Sequence, residues 1–105
     1  MHSIFSNTKS KIVVHIIADN LLTDDNRNKL QQIADKFEQT LVIHNVDEEI
    51  PNRIDDIRKA FTWANENRFT VGAGYRLIYH EVIDAEKVIH LDVDMICNLD
   101  ITILF

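Results

Sequence analysis

The sequence has little cysteine, no excess of positive charge and no long apolar run. Cys97 is the one cysteine among 105 residues, so no disulfide can form within the chain and a reducing compartment is the simpler expectation. Lysine and arginine number 11 against 17 acidic residues, a net charge of -6, which argues against binding nucleic acid through phosphate contacts. No apolar stretch could span a bilayer, and the first residues carry no signal-peptide pattern. We expect a cytoplasmic protein without a transmembrane segment.

The composition that remains is that of an ordinary globular protein, 46% hydrophobic and 27% charged. A chain of 105 residues predicts a single compact domain, because a second core has no room. The acidic balance has one consequence for ligands. A nucleoside diphosphate would need a cation to bridge it to this protein.

The first half of the sequence predicts a β-α-β unit. Residues 12–17 are β-branched and apolar almost without interruption, which is typical of a strand buried on both faces. Thr23 then supplies a helix cap before an acidic first turn, and apolar residues follow at helical spacing up to Phe37. A second strand is predicted over residues 41–46. Strand, helix and strand with short joints imply parallel strands and a right-handed crossover.

The second half predicts a loop over residues 47–52, a helix over 53–68, a second helix from about Thr70 to 82, and a third strand over 87–91. Gly72 and Gly74 weaken the second helix by about 1 kcal/mol each relative to alanine. The expected architecture is α/β, with a mostly parallel sheet and flanking helices.

Asp92, Val93 and Asp94 follow the predicted third strand, at the edge where open parallel sheets bind ligands. Side chains two residues apart in an extended segment point to the same side, so Asp92 and Asp94 are expected to converge on one hard cation, Mn²⁺ or Mg²⁺. With 11 aspartates in the chain, about one Asp-x-Asp arises by chance. The apolar residues on both sides make this pair informative, because an exposed acidic turn is rarely flanked by residues that favour burial.

Two segments together resemble the pattern of glycosyltransferase family 8, which includes lipopolysaccharide galactosyl- and glucosyltransferases and the glycogenins. The first is Tyr75-Arg76-Leu77, and the second, after a helix-length gap, runs from Lys87 through Asp92-Val93-Asp94 to Cys97. The family has an aromatic-Arg-Leu/Phe segment, then a Lys-led apolar strand that ends in Asp-x-Asp. The resemblance extends at lower specificity over nearly the whole chain.

The resemblance implies a GT-A, Rossmann-like fold and transfer of a hexose from a UDP-sugar to a saccharide or glycolipid acceptor, in the synthesis of lipopolysaccharide or a surface glycan. Asp92 and Asp94 would hold Mn²⁺ (or Mg²⁺), which bridges the diphosphate, and Arg76 would reach the phosphate or sugar. Arg76, Asp92, Val93 and Asp94 are thus the nucleotide-sugar-binding residues that the resemblance assigns, and no residue is predicted to be catalytic. For the complete enzyme, a membrane-peripheral position is the alternative to a cytoplasmic one.

Departures from the family pattern predict a partial domain over residues 1–105. The family's nucleoside-binding strand would precede the chain, and its third metal ligand and acceptor-binding half would follow it. The stretch Gly72-Ala73-Gly74 also replaces the usual Ser/Thr-bearing lead into the arginine. We therefore expect an incomplete domain that is inactive alone and either self-associates or needs a complementing chain.

Other side chains have structural interpretations that we favour over functional ones. His15, His44 and His90 occupy similar places in the predicted strands, but a zinc site needs convergence and second-shell partners, so we expect local hydrogen bonds instead. Cys97 is expected to be a buried, inert thiol, and Trp63 to belong to the core. Arg76 taken alone would be a helix-surface residue, and its Tyr-Arg-Leu context favours ligand contact.

Two other functions remain open at this point. A haloacid-dehalogenase-like phosphatase also places Asp-x-Asp after a strand, but its motif continues with Gly-Thr, where this chain has Met95-Ile96. A non-enzymatic, truncated fragment that needs a partner chain is the third class.

Overall fold

The computed structural model describes residues 1–65 and 71–105 of the chain. That part contains five α-helices, two β-strands and two 3₁₀ helices. In chain order they are α1 His2–Ser6, β1 Val13–Ala18, α2 Asp24–Lys36, β2 Thr40–Asn45, α3 Val46–Glu49, α4 Pro51–Asn65, a 3₁₀ helix at Val71–Leu77, α5 Tyr79–Val82 and a 3₁₀ helix at Ile101–Leu104.

The predicted β-α-β unit is present. β1 and β2 are neighbours in a two-stranded parallel sheet and α2 connects them, which confirms the α/β class. Helix α2 begins as predicted, because Thr23 Oγ1 accepts a hydrogen bond from the backbone N–H of Asn26 at 3.2 Å. Asp24 and Asp25 occupy its first turn, where carboxylates favour the positive end of the helix dipole. Ala34 on its apolar face is fully buried.

The chain divides into two compact units. The first unit consists of Met1–Val14, Thr23–Val42 and Ala85–Phe105, and the second of His15–Leu22 and the described part of Ile43–Asp84. In the first unit Phe5 is buried, with its ring 5.9 Å from that of Phe37. The core of the second unit comprises Val46, Ile54, Ile57, Tyr75 and Ile78, with Ile17 and Ile50 packed against it. The single domain expected over residues 1–105 stays a prediction.

Strand β1 is not buried on both faces, contrary to the expectation. Val13 is 54% exposed, and the other residues of the strand are only half-buried. The apolar run was the basis of that expectation, but burial of both faces requires layers on both sides of the sheet. The described part of the chain does not supply them.

The predicted loop after β2 contains two helices instead. Helix α3 begins directly after Asn45, whose side-chain oxygen accepts the N–H of Asp47 at 3.0 Å and so caps the helix. Helix α4 begins at Pro51, a position that suits proline because the first helical N–H needs no partner within the helix. Ile54 and Ile57 are buried, as the predicted helix requires. Residues 66–68 of that prediction lie outside the described residues, and the side chain of Trp63 is not described.

Residues 71–82 form a 3₁₀ helix followed by the four-residue helix α5, where a single α-helix had been predicted. The start of that prediction, at Thr70, lies outside the described residues. Gly72 and Gly74 lower α-helix propensity, and the tighter 3₁₀ turn brings Tyr75 and Ile78 to the same side, where both are buried.

The predicted third strand is wrong. Residues 87–91, all within the described part, contain no strand, and Lys87, Val88 and His90 are exposed. An apolar run becomes a strand only when a neighbouring strand pairs with its N–H and C=O groups. In the described part of the chain, β1 and β2 pair with each other only, so the parallel sheet is smaller than expected.

Candidate functional site

Asp92 and Asp94 lie in a turn, not at the end of a strand. The backbone N–H of Met95 donates to the carbonyl oxygen of Asp92 at 3.3 Å, which places Val93 and Asp94 at the two central positions of the turn. Val93 is fully exposed and Asp94 is exposed. The expectation that the two carboxylates share one side of an extended strand is therefore wrong, because the segment is a turn and not an extended strand. Whether they bind a cation together stays a prediction.

The carboxylates of Asp92 and Asp94 are oxygen ligands, the type that a hard cation prefers, but two side chains are fewer than such a cation needs. The side chain of Asp92 is 56% exposed, and its Oδ1 lies 3.7 Å from Nε2 of His90. Among the described residues, no group of three or more His, Cys, Asp or Glu side chains is arranged to hold a metal ion. A cation at Asp92 and Asp94 would take its remaining ligands from water or from other donors.

The segment after the turn is attached to the first helix. The side-chain amide of Asn7 donates to the carbonyl oxygen of Cys97 at 2.8 Å, and the N–H of Cys97 donates to Oγ of Ser3 at 3.0 Å. These partners are 90 and 94 positions apart in the sequence, and no spacing in the sequence predicted the contacts. Cys97 itself is half-buried, where a buried thiol had been expected.

Arg76 belongs to the second unit, whereas Asp92, Val93 and Asp94 belong to the first. Its side chain is exposed near the end of the 3₁₀ helix Val71–Leu77. The side chain of the neighbouring Tyr75 is buried, with 7% of its surface exposed. The Tyr-Arg pair therefore presents the arginine to solvent and the tyrosine to the interior of the second unit.

The histidines behave largely as expected. His15 Nδ1 lies 3.0 Å from His44 Nε2, and His44 Nδ1 lies 3.1 Å from Oε1 of Glu49. The expected local hydrogen bonds are thus confirmed for the two strand histidines. His90 lies outside any strand, beside Asp92.

A polar pocket lies at the carboxyl ends of β1 and β2, within the second unit. The described residues that line it are Asp19, Asn20, Leu21, Asp47, Arg58 and Tyr75. Ligands of α/β proteins bind at this edge because the strands end there and their loops diverge. From the sequence, the site was expected at the Asp-x-Asp segment and not at this pocket.

Four hydrogen bonds arrange the polar groups of this pocket. The Tyr75 hydroxyl donates to Oδ2 of Asp19 at 2.7 Å, and the N–H of Leu21 donates to Oδ1 of Asp19 at 2.9 Å. Asp47 accepts the N–H of Asn20 at 2.9 Å and Nη2 of Arg58 at 2.6 Å. Each of the two oxygens of Asp19 and of Asp47 therefore accepts one of these hydrogen bonds.

The charge states in the pocket follow from these contacts. The Asn20 N–H, and after it the Arg58 guanidinium, hold the pKa of Asp47 below its usual value. The hydrogen bond to Asp47 raises the pKa of Arg58. Burial, and then the hydrogen bond to Asp19, raise the pKa of Tyr75 to about 12. At neutral pH the pocket therefore contains ionised Asp47, protonated Arg58 and a neutral phenol.

Some of these residues carried a signal in the sequence. Asp19 and Asn20 end the first predicted strand, and Asp47 follows the second, so their place at one edge of a parallel sheet was predictable. The positions of Tyr75 and Arg58 in the pocket were not predictable from the sequence. Their contacts with Asp19 and Asp47 depend on how α4 and the 3₁₀ helix pack.

The parallel β-α-β unit, with a polar pocket at the carboxyl ends of its strands, places the chain in the α/β class, whose ligands bind at this edge of the sheet. The family model of glycosyl transferase family 8 matches residues 1–105, the whole of the sequence. The chain therefore belongs to glycosyltransferase family 8, whose enzymes transfer a sugar from a donor to an acceptor. Comparison with curated proteins gave no match, and neither did comparison with solved structures.

This match favours the transferase hypothesis over the phosphatase alternative. In the described part of the chain, every helix is too short or too polar to cross a membrane.

Proposed function

We propose that this chain binds the donor of a hexosyltransferase of the GT-A type, which transfers a hexose from a UDP-sugar to a saccharide or glycolipid acceptor. The product would be lipopolysaccharide or a surface glycan. The observation that carries the proposal is the family match over the whole sequence, which includes the Asp-x-Asp segment.

In this proposal Asp92 and Asp94 supply carboxylate ligands to Mn²⁺ or Mg²⁺. Their exposure in the turn leaves them open to a hydrated cation, and oxygen ligands suit both metals. When bound, the cation supplies positive charge against the diphosphate of the donor. A net charge of -6 favours such a bridge, because the protein as a whole repels an anionic donor.

Arg76 is the second contact in the proposal. A guanidinium can donate two parallel hydrogen bonds to phosphate oxygens, and its charge persists at any physiological pH. The side chain is exposed, so a donor can reach it without rearrangement of the buried Tyr75 beside it.

Separate measurements of metal and nucleotide binding test these roles. Water-proton relaxation reports Mn²⁺ binding to the purified chain, and calorimetry reports UDP binding with and without Mn²⁺. We expect Asp94→Asn to weaken Mn²⁺ binding about tenfold or more, since a charged ligand is lost. We expect Arg76→Ala to weaken UDP binding by a similar factor and to leave Mn²⁺ binding unchanged.

Asp56→Asn is the matched control, because Asp56 is an exposed aspartate on α4, outside the turn. It should bind Mn²⁺ and UDP as the wild type does. Equal Mn²⁺ binding by the wild type, Asp94→Asn and Asp92→Asn would remove the metal assignment. Equal UDP binding by the wild type and Arg76→Ala would remove the arginine from the donor site.

A further inference from the structure

The pocket of the second unit has the size and position of a small-molecule site. Its volume is about 340 Å³, at the lower end of the roughly 300–1,000 Å³ typical of ligand pockets. Leu21 at its rim is 87% exposed, so the pocket is accessible from solvent. Tyr75 forms part of its buried wall.

The pocket offers hydrogen-bond acceptors on two fixed carboxylates. A carboxylate oxygen can accept about two hydrogen bonds. Asp19 accepts one at each oxygen, from Tyr75 and Leu21, and Asp47 accepts one at each oxygen, from Asn20 and Arg58. These donors hold the carboxylates in place and leave each oxygen with capacity for a further hydrogen bond.

The charges around the pocket disfavour an anionic ligand. Two carboxylates face one guanidinium, which is already bonded to Asp47, and Nη1 of Arg58 also lies 3.8 Å from the carboxylate of Asp55. A phosphate group would therefore meet an excess of negative charge. The pocket suits a neutral molecule whose hydroxyl groups donate hydrogen bonds.

We infer that this pocket binds vicinal hydroxyl groups of a neutral saccharide, with Asp19 and Asp47 as the acceptors. Adjacent hydroxyls on a sugar ring can each donate a hydrogen bond to one of the two oxygens of a carboxylate. This inference rests on the proposed function, in which a saccharide acceptor is the neutral substrate. It assigns part of the recognition of that substrate to Asp19, Asp47 and Tyr75.

Amide NMR of the ¹⁵N-labelled chain tests the inference without metal or nucleotide. The probes are methyl β-D-galactoside, methyl β-D-glucoside, a dideoxy methyl glycoside that lacks vicinal hydroxyls, and uridine. We expect saturable shifts of the Asn20 and Leu21 amides, whose N–H groups bond to the two carboxylates. The affinity should be millimolar, and at least about tenfold weaker for the dideoxy glycoside.

The variant Asp19→Asn keeps the size of the side chain and removes its charge. We expect it to weaken hexoside binding about tenfold, as loss of a hydrogen bond to a charged group does. Asp56→Asn should bind as the wild type does, and thermal melts establish that both variants are folded. The comparison of sugars uses the wild type alone, so the test stands even if Asp19→Asn does not fold.

Three results would overturn the inference. They are no shift of the two amides with either hexoside, equal affinity for the dideoxy glycoside, and shifts with uridine but not with the hexosides. None of them depends on Mn²⁺ or UDP. The proposed function would therefore survive such a result if Asp94→Asn still weakens Mn²⁺ binding, and the two hypotheses can fail separately.

Discussion

Among single residues, Asp47 connects three segments of the second unit. Its carboxylate joins the loop after β1, through the Asn20 N–H, to helix α4, through Arg58. Its own N–H bonds to Asn45 at the end of β2. Because both oxygens receive donors, the carboxylate is stabilised in its ionised form.

Two further polar contacts in the second unit join His15 to His44 and His44 to Glu49. A neutral imidazole has one donor and one acceptor nitrogen. If His44 donates to Glu49 through Nδ1, its Nε2 must accept from Nδ1 of His15, at the observed 3.0 Å. Protons on both of the facing nitrogens would place two donors against each other, so this contact holds one hydrogen between the two rings.

The first prediction concerns pH. Burial, and then the charge of His44, lower the pKa of His15 from its usual 6.5. As the pH falls, the unfolded chain therefore binds the proton before the folded chain does. The stability that neutral His15 contributes is complete above the unfolded pKa and is lost as the pH falls through the folded pKa. Urea unfolding between about pH 8 and pH 5 should show this loss.

His15→Gln should depend less on pH over that range, because it cannot titrate. The control is His80→Gln, which changes an exposed histidine and should keep the wild-type dependence. A His15 ring-proton titration midpoint at or above 6.5 in the folded protein would contradict the prediction.

Among the secondary-structure elements, α2 ends with a residue in an unfavourable conformation. Glu38 has φ 54°, in the left-handed region that favours glycine. The N–H of Glu38 donates to Asp35 O at 3.1 Å and that of Gln39 to Ala34 O at 2.9 Å, which is the Schellman pattern of helix ends. The pattern needs the left-handed backbone but not the glutamate side chain.

The second prediction follows from this conformation. Glu38→Gly should stabilise the protein by about 0.5–1 kcal/mol, because relief of a roughly 1–2 kcal/mol strain exceeds the added entropy of an unfolded glycine. Lys11 bonds to the backbone oxygen of Glu38, a contact that the variant retains. Glu38→Ala is the control and should give no gain. Equal urea midpoints for the glycine and alanine variants would show that the strain is absent.

The elements show which parts of the fold are predictable from sequence. β1, α2 and β2 were predicted because their signals are local, namely β-branched runs and the Thr23 cap. The third strand was predicted wrongly over residues 87–91, because strand formation depends on a pairing partner and no local sequence pattern specifies one. The pocket could not be predicted for a similar reason, since its hydrogen bond between Tyr75 and Asp19 joins residues that are 56 positions apart in the sequence. The Asp-x-Asp motif was visible, but its turn conformation was not.

At the scale of the whole molecule, exposed apolar side chains are concentrated near the end of the sequence. Seven large apolar residues between positions 93 and 105 are at least half exposed. They are Val93, Met95, Ile96, Leu99, Ile103, Leu104 and Phe105. Scattered exposed hydrophobics are normal, but so many within 13 positions are typical of a surface that contacts other protein. The net charge of -6 opposes contact between copies.

The third prediction is weak, salt-promoted self-association. Salt at about 1 M shortens the Debye length to about 3 Å and screens the repulsion between copies, while apolar contacts persist. Sedimentation over a concentration series should show larger species at high salt than at low salt.

Ile96→Ser combined with Leu99→Ser should reduce this association without lowering the urea midpoint, because both side chains are at least 70% exposed. Leu77→Ser is the matched control, since Leu77 is 61% exposed but lies in the second unit. It should associate as the wild type does. A chain that stays monomeric at every concentration and salt level, with the double variant indistinguishable from it, would mean that these apolar side chains do not bind a second copy.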